Sequence, residues 1–536
     1  MAILNAALFQ GASWITYALS RNDHLGTKVL AASSALYVTG RIVYLLHFAP
    51  LSKIPGSWIS KLTFLKIKFN ALFGLLGDAC EDDYYKYGDI YVIGPNVVTI
   101  CDPADCRTVL STHRFAKSEM YEHFVLIDHT MFTTRSAEVS HVRRRQVGPA
   151  FTPGYLTAME PTILECGIHS MRQKWDGMID GSASNEAVVP YSQHFSLVSF
   201  DIVGALGYGQ RFNSLKENSG KIVDWVKNYN RLAQLYFAFP IASSFPFNLT
   251  TRSLVKSKDD LSAFGDNAAE LRREKLKSGA LAEKPKDLLQ ALIDTEDPES
   301  RVRMTQKQIT AQNIGFLIGG TDTTSLTMSW TLHYLLLYPD IYKRAVREVR
   351  SKFSHSHTIT YSEGKSQLPF IDACIYESMR IRAVSGVILP RIVPKGGATF
   401  QGHFLPGGTQ ICVNVAGANH HKETWENSRH FMPERFLGDG EKRKHDVLTF
   451  SAGIRICPGR NLAKYEMISI LANLLKDYDL SLPHDALFRP DRVDNDGYPV
   501  VMPRINSVTV KPKYPERDCL VVIKRASASS FGGNSL

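Results

Sequence analysis

The chain has 536 residues, 44% hydrophobic and 21% charged, a balance that excludes a disordered or fibrous protein. That length allows two to four domains of about 150 residues, yet no Pro/Gly/Ser-rich linker or fixed-period repeat divides the interior, so one large domain is expected. The formal net charge is +10, but the basic residues are scattered and show no helix-turn-helix, zinc-finger or RNA-binding signature, which excludes nucleic acid as a partner.

Met1–Ser20 carries no charge and is moderately apolar. A second apolar stretch, Val29–Ala49, is long enough to span a bilayer. Arg41 lies near its middle, where an arginine costs about 2.5–3.5 kcal/mol on insertion scales. Neither stretch has a cleavage site, so residues 1–49 read as a retained membrane anchor. Which stretch crosses is left open, as is the alternative that both pack on the body. Lys53, Lys61, Lys66 and Lys68 follow, and positive charge on this flank puts the body in the cytosol. The Asn248-Leu249-Thr250 sequon would then never meet the glycosylation machinery.

The rest of the chain, 50–524, is mainly helical in pattern with a small β portion. Leu232–Phe247 is apolar and aromatic, suited to covering a pocket, filling a core or dipping into a membrane. Ile309–Leu337 is a long helix interrupted only by a glycine-rich patch, and Lys365–Ile381 is another helix. Strand-like runs follow at Gly386–Val393, Ala398–Phe400 and Gln410–Val415, separated by Gly/Pro turns. Arg460–Tyr478 returns to helical spacing, with Leu462, Met467, Ile470, Leu471 and Leu474 on its buried face. The Ser/Gly-rich tail, 525–536, is expected to be disordered.

Eight cysteines are spread without a CxxC pair, which fits reduced thiols facing the cytosol. His420-His421 do not face together on a helix and suggest no third ligand, so no metal site is expected there. The informative cysteine is Cys457, in Phe450-Ser451-Ala452-Gly453-Ile454-Arg455-Ile456-Cys457-Pro458-Gly459. A thiolate that binds haem iron end-on needs a loop passing close to a flat macrocycle, which disfavours side chains at Gly453 and Gly459. The sulfur must be an anion, and Arg455 can meet a haem propionate through two hydrogen bonds.

This loop resembles the haem loop of the cytochrome P-450 family, Phe-x-x-Gly-x-Arg-x-Cys-x-Gly, with Phe450, Gly453, Arg455, Cys457 and Gly459 filling every fixed position. Thiolate ligation in that family pushes electron density towards O–O cleavage. Four further motifs extend the resemblance to roughly Pro50–Lys524. Gly319-Gly320-Thr321-Asp322-Thr323-Thr324 is similar to the family's central-helix signature, which implies catalytic roles in proton delivery for Thr323 and Asp322. Glu377-Ser378-Met379-Arg380 resembles Glu-x-x-Arg, and Pro433-Glu434-Arg435-Phe436 supplies Arg435 to complete a bracing cluster. His141-Val142-Arg143-Arg144-Arg145, before Pro149-Ala150-Phe151, resembles the propionate-binding helix. Counting back puts Arg144 at the propionate. Ser140 stands where the family has Trp or His, so Arg145 and His141 stay open as alternatives.

The resemblance implies a haem-thiolate monooxygenase domain behind a membrane anchor in the endoplasmic reticulum. Haem would be ligated through Cys457, and electrons would come from NADPH through a separate reductase. A basic run, Lys442-Arg443-Lys444 with Lys464, is a candidate docking face for that reductase. Leu232–Phe247 and Val387-Ile388-Leu389 imply a lipophilic substrate, although Ala383-Val384-Ser385 replaces the family's usual proline beside the pocket. The wording Cys457-Pro458-Gly459-Arg460-Asn461-Leu462-Ala463 is similar to fungal members, which implies secondary-metabolite tailoring. Two alternatives stand beside this reading. One is a haem-thiolate isomerase or dehydratase that needs no reductase, and the other is a membrane-tethered haem-binding protein without turnover.

Overall fold

The computed structural model describes residues 24–527, apart from 126, 219, 282, 386, 387 and 507. Met1–Ser20, Val387 and the last nine residues therefore lie outside the described part. Helices dominate, and the longest, Gln306–Leu337, runs through the centre. Its start is fixed by a reciprocal cap: Thr305 Oγ1 accepts from Gln308 N, and Gln308 Oε1 accepts from Thr305 N. Pro339 prevents its continuation and opens the next helix, Pro339–Arg350. Tyr191–Tyr208, Arg252–Lys277, Pro369–Ile381 and Arg460–Asp477 pack around the central helix. Its C-terminal half is buried on almost every side, which explains the unbroken apolar and hydroxyl pattern of residues 324–337.

The two glycines of the central helix do different things. A Cβ at Gly320 would sit 2.9 Å from Val203 on Tyr191–Tyr208, so this glycine lets two helices approach. A Cβ at Gly319 would meet nothing within 4 Å, and this residue is exposed. The helix stays regular through both positions.

The β portion sits to one side. Its main sheet orders Ile90–Gly94, Val97–Ile100, Gln410–Val413, Leu389–Ile392 and Ala116–Lys117. The last pairing is antiparallel and sets Lys117 opposite Arg391. Several boundaries differ from those the sequence predicts; the strand expected at Gly386–Val393 is only Leu389–Ile392. Lys365–Ile381 is two helices, Tyr361–Gln367 and Pro369–Ile381, because Pro369 cannot donate to the first and starts the second. Gln410–Val415 ends as a strand at Val413, where Asn414 caps the short helix Val415–Asn419. The body runs past 524: Arg525 closes the strand Leu520–Arg525 against Tyr478, and Ala526 N donates to Asp477 O at 2.9 Å.

Near the N-terminus, Gly26–Phe48 is 23 residues long with mean hydropathy 1.5, and none of its apolar window is buried. At 1.5 Å per residue it spans about 35 Å, enough for a hydrocarbon core of about 30 Å. Arg41 stands beyond the midpoint of this helix, over the Tyr44 ring at 5.5 Å.

Candidate active site

All eight cysteines are free, and seven are buried; Cys457 alone is partly exposed. Its loop hangs between the turn Leu448–Phe450 and the helix Arg460–Asp477. Cys457 N donates to Phe450 O at 2.9 Å, which closes the loop back on its first aromatic. Backbone N–H groups of Gly459 and Arg460 point at the sulfur. Burial pushes the thiol pKa up, while these two N–H groups and the guanidinium of Arg144 oppose that rise. Burial outweighs them, so the metal-free sulfur favours the thiol, and coordination to a metal would deprotonate it outright.

Gly453 is required for a different reason from the one the sequence suggests. It sits at φ +62°, and a Cβ there would lie 2.3 Å from the Ser111 Cα, so the neighbouring backbone excludes a side chain. At Gly459 a Cβ would only graze Cys457 Sγ at 3.9 Å. No protein neighbour forbids a side chain there.

The three candidates on the basic helix Ala137–Val147 point in different directions. Arg144 reaches the loop, where its Nη2 donates to Ile456 O at 2.7 Å. Arg145 turns away to Asp297 at 2.5 Å and Glu299 at 3.0 Å. His141 packs against His113 with ring centroids 4.5 Å apart. Arg455 Nη1 donates to Thr134 O at 3.2 Å, and its Nη2 lies 3.5 Å from His113 Nδ1.

Arg455 and Arg144 belong to a larger cationic group. Burial, then the charges of Arg391 and Arg144, pull the Arg455 pKa down to about 10 despite the opposing Tyr121 hydroxyl. Burial, then the charges of Arg455, Arg391 and Arg144, push Lys117 well below its ordinary value. His113 falls to about 4, again through burial first and Arg455 next. Lys117 and Arg391 are 5% and 3% exposed and face each other across two strands. Like charges directly opposite destabilise a sheet. Among the described residues no carboxylate pairs with Lys117, Arg144, Arg391 or Arg455. Lys117 is held instead by the Phe132 carbonyl and the Tyr121 ring, and Arg391 by the Tyr121 hydroxyl at 2.9 Å. Four basic side chains, two buried and two half-buried, without an acid among them suit an anion from outside the chain, such as a group bearing two carboxylates. Sequence reasoning missed Lys117, Arg391 and His113, because only the Lys117–Arg391 pairing brings these distant segments to the loop.

On the central helix, Thr323 Oγ1 donates to the exposed Gly319 carbonyl at 2.7 Å. That leaves the hydroxyl oxygen free to accept. The Asp322 carboxyl makes no ion pair among the described residues, and burial raises its pKa against the weaker pull of Lys511 and Lys227. The bracing cluster is assembled as expected: Glu377 receives Arg380 Nε at 2.8 Å and Arg435 Nε at 3.0 Å. The basic run is narrower than its sequence suggests. Lys444 pairs with Asp372 at 2.6 Å, Arg443 donates to the Thr424 carbonyl over the Trp425 ring, and burial lowers the Lys464 pKa.

A family model described as Cytochrome P450 matches residues 57–503. The chain is 38% identical over 502 residues to the Cytochrome P450 monooxygenase helB1 of Aspergillus fumigatus, covering 94% of this chain and 86% of that protein. It is 29% identical to the Cytochrome P450 monooxygenase ORF11 of Penicillium roqueforti, over 84% of this chain and 93% of that one. The crystal structure of the cytochrome P450DA heme domain shares the fold, with a TM-score of 0.73 over 91% of this chain and 97% of that chain, at 18% identity. Matches of that extent, from one end of the folded body to the other, make this chain a member of the cytochrome P450 family: a monooxygenase whose cofactor is haem ligated by a cysteine thiolate.

Proposed function

We propose that Cys457 is the haem ligand, that Arg144, Arg455, Lys117 and Arg391 hold the propionates, and that the enzyme oxidises a lipophilic small molecule. The observation carrying this reading is the acid-free group of basic side chains around the Cys457 loop, with Lys117 and Arg391 buried and Arg144 and Arg455 half-buried. Haem bound there supplies the dioxygen chemistry, with electrons from NADPH delivered by a separate reductase. The fungal wording of the Cys457 loop and the similarity to fungal monooxygenases favour a fungal-type enzyme, for which we propose a role in secondary-metabolite tailoring.

The chain's own task is to move protons in order. Asp322, kept protonated to higher pH by burial, acts as the acid. Thr323 Oγ1, anchored on the Gly319 carbonyl, acts as the relay on the open side of the helix. Both Thr323→Ala and Asp322→Asn are expected to keep haem. Thr323→Ala should consume NADPH while releasing more hydrogen peroxide per product. Asp322→Asn should slow turnover by about 10²–10⁴-fold, the usual loss for a proton-transfer group. Product formed against NADPH consumed is the measurement. Unchanged coupling and turnover in both variants would remove the pair from the mechanism, and turnover independent of NADPH would favour an isomerase.

Gly26–Phe48 supports anchoring in the endoplasmic reticulum membrane, with Lys53, Lys61, Lys66 and Lys68 favouring a cytosolic body. Deleting residues 1–49 is expected to shift the protein towards the soluble fraction with haem retained. A deletion variant that stays fully membrane-bound would make the body itself the attachment.

A further inference from the structure

The helix Lys221–Ala238 turns through Pro240–Ser243 and leads back to the helix Arg252–Lys277. Between the two helices lies a cavity of about 680 Å³, within the range of small-molecule sites of about 300–1,000 Å³. Its inner wall includes Tyr229, Leu232 and Ala233, all buried, and the Tyr229 hydroxyl is already committed to the Phe124 carbonyl at 2.8 Å. The other end is cationic. Arg252 and Lys256 line it, both exposed, and neither pairs with a carboxylate among the described residues. The third cation there, Lys258, is neutralised by Asp259 at 3.2 Å. The first turn of Arg252–Lys277 carries no acid to balance the other two.

Around this cavity the surface is apolar. Phe239, Ile241, Phe245 and Phe247 are 45–79% exposed. Gln234 Nε2 donates to Ala71 O at 2.8 Å and so joins this region to the helix Leu65–Leu72, where Leu65 and Phe69 are also exposed. Exposed apolar side chains gathered on neighbouring segments in this way mark an interaction surface. An occupant must satisfy an apolar inner wall and two unpaired cations at once, which a neutral lipophile does not.

We propose that this cavity binds one anionic phospholipid, with an acyl chain against Tyr229, Leu232 and Tyr236 and the phosphate on Arg252 and Lys256. The inference rests on the reading that the enzyme works at a membrane, since the exposed aromatics then place the cavity mouth at the lipid surface. Charge selects an acidic headgroup over a zwitterionic one.

The test uses the full haem-loaded chain in neutral detergent, titrated with dioctanoyl phosphatidylglycerol, dioctanoyl phosphatidylcholine and octanoate, with bound lipid read by native mass spectrometry. The expected result is saturable one-to-one binding of the phosphatidylglycerol, about ten- to thirty-fold tighter than the phosphatidylcholine, as two cations near an anionic headgroup supply. The double variant Arg252→Glu, Lys256→Glu should lose that preference and keep the wild-type ferrous carbonyl spectrum, since neither residue lies at the haem loop. Equal affinity for the two phospholipids, or a preference that survives in the double variant, would overturn the proposal. Octanoate binding as tightly as the phosphatidylglycerol would also overturn it, making the occupant a free carboxylate. Because the probes are soluble, failure here is separate from failure of the anchor, which cell fractionation of the 1–49 deletion reads.

Discussion

Glu377→Ala is expected to destabilise the fold by about 3–5 kcal/mol, the cost of leaving buried charge without its partner. Glu377 Oε1 accepts from Arg380 Nη2 at 2.9 Å, Arg435 Nε at 3.0 Å and Met432 N at 3.0 Å, and Oε2 accepts from Arg380 Nε at 2.8 Å. Both Glu377 and Arg380 have fully buried side chains. Arg380 Nη1 also donates to the carbonyls of Asn419 at 2.9 Å and Ser428 at 2.8 Å, so this one guanidinium ties the helix Pro369–Ile381 to the segment leading to the haem loop. Without the carboxylate, Arg380 and Arg435 would face each other uncompensated. Total stabilities of about 5–15 kcal/mol make such a loss large. Urea denaturation and haem content should both report it. The pair Arg344–Glu434 provides a control: it is as short, at 2.8 Å, but about half exposed. Glu434→Gln is therefore expected to change stability by at most about 1 kcal/mol. Equal urea midpoints for Glu377→Ala and wild type would contradict this account of the cluster.

The parts of this protein legible in its sequence are those whose chemistry lies within a short run of residues. The Cys457 loop is contiguous, and Glu377 and Arg380 stand one helical turn apart. The long central helix was legible because residues 324–337 carry no breaker. What stayed hidden depends on pairing between distant segments. Lys117 and Arg391 become neighbours through two short strands although 274 positions separate them in the chain, and nothing in either local sequence marks them. Gly320 looks like local distortion in a helix, yet its purpose is the approach of Val203. Gly453 looks like clearance for a ligand, yet Ser111 enforces it. That Arg144 and Arg145 part company could be seen only from the direction of each side chain: Asp297 pairs with Arg145, and Ile456 O accepts from Arg144. Pro369 was a readable signal, since a proline within Lys365–Ile381 predicts a break before it.

The largest functional loss is expected at Cys457. The sulfur is the one partly exposed thiol among eight, and its loop is held mainly by Phe450 O, Arg144 and the start of Arg460–Asp477, the sulfur itself receiving only the Gly459 and Arg460 N–H groups. Cys457→Ala should therefore fold with near-wild-type stability and keep the cationic group, which retains some affinity for haem through its propionates. It should lose the thiolate, and monooxygenase turnover with it. Cys457→His would replace the anion by a neutral imidazole and should likewise be inactive while binding haem. The most direct measurement is the ferrous carbonyl absorption spectrum of purified wild type, Cys457→Ala and Cys457→His. The account predicts a thiolate-type Soret band in wild type alone, and a thiolate-type band retained in either variant would contradict it.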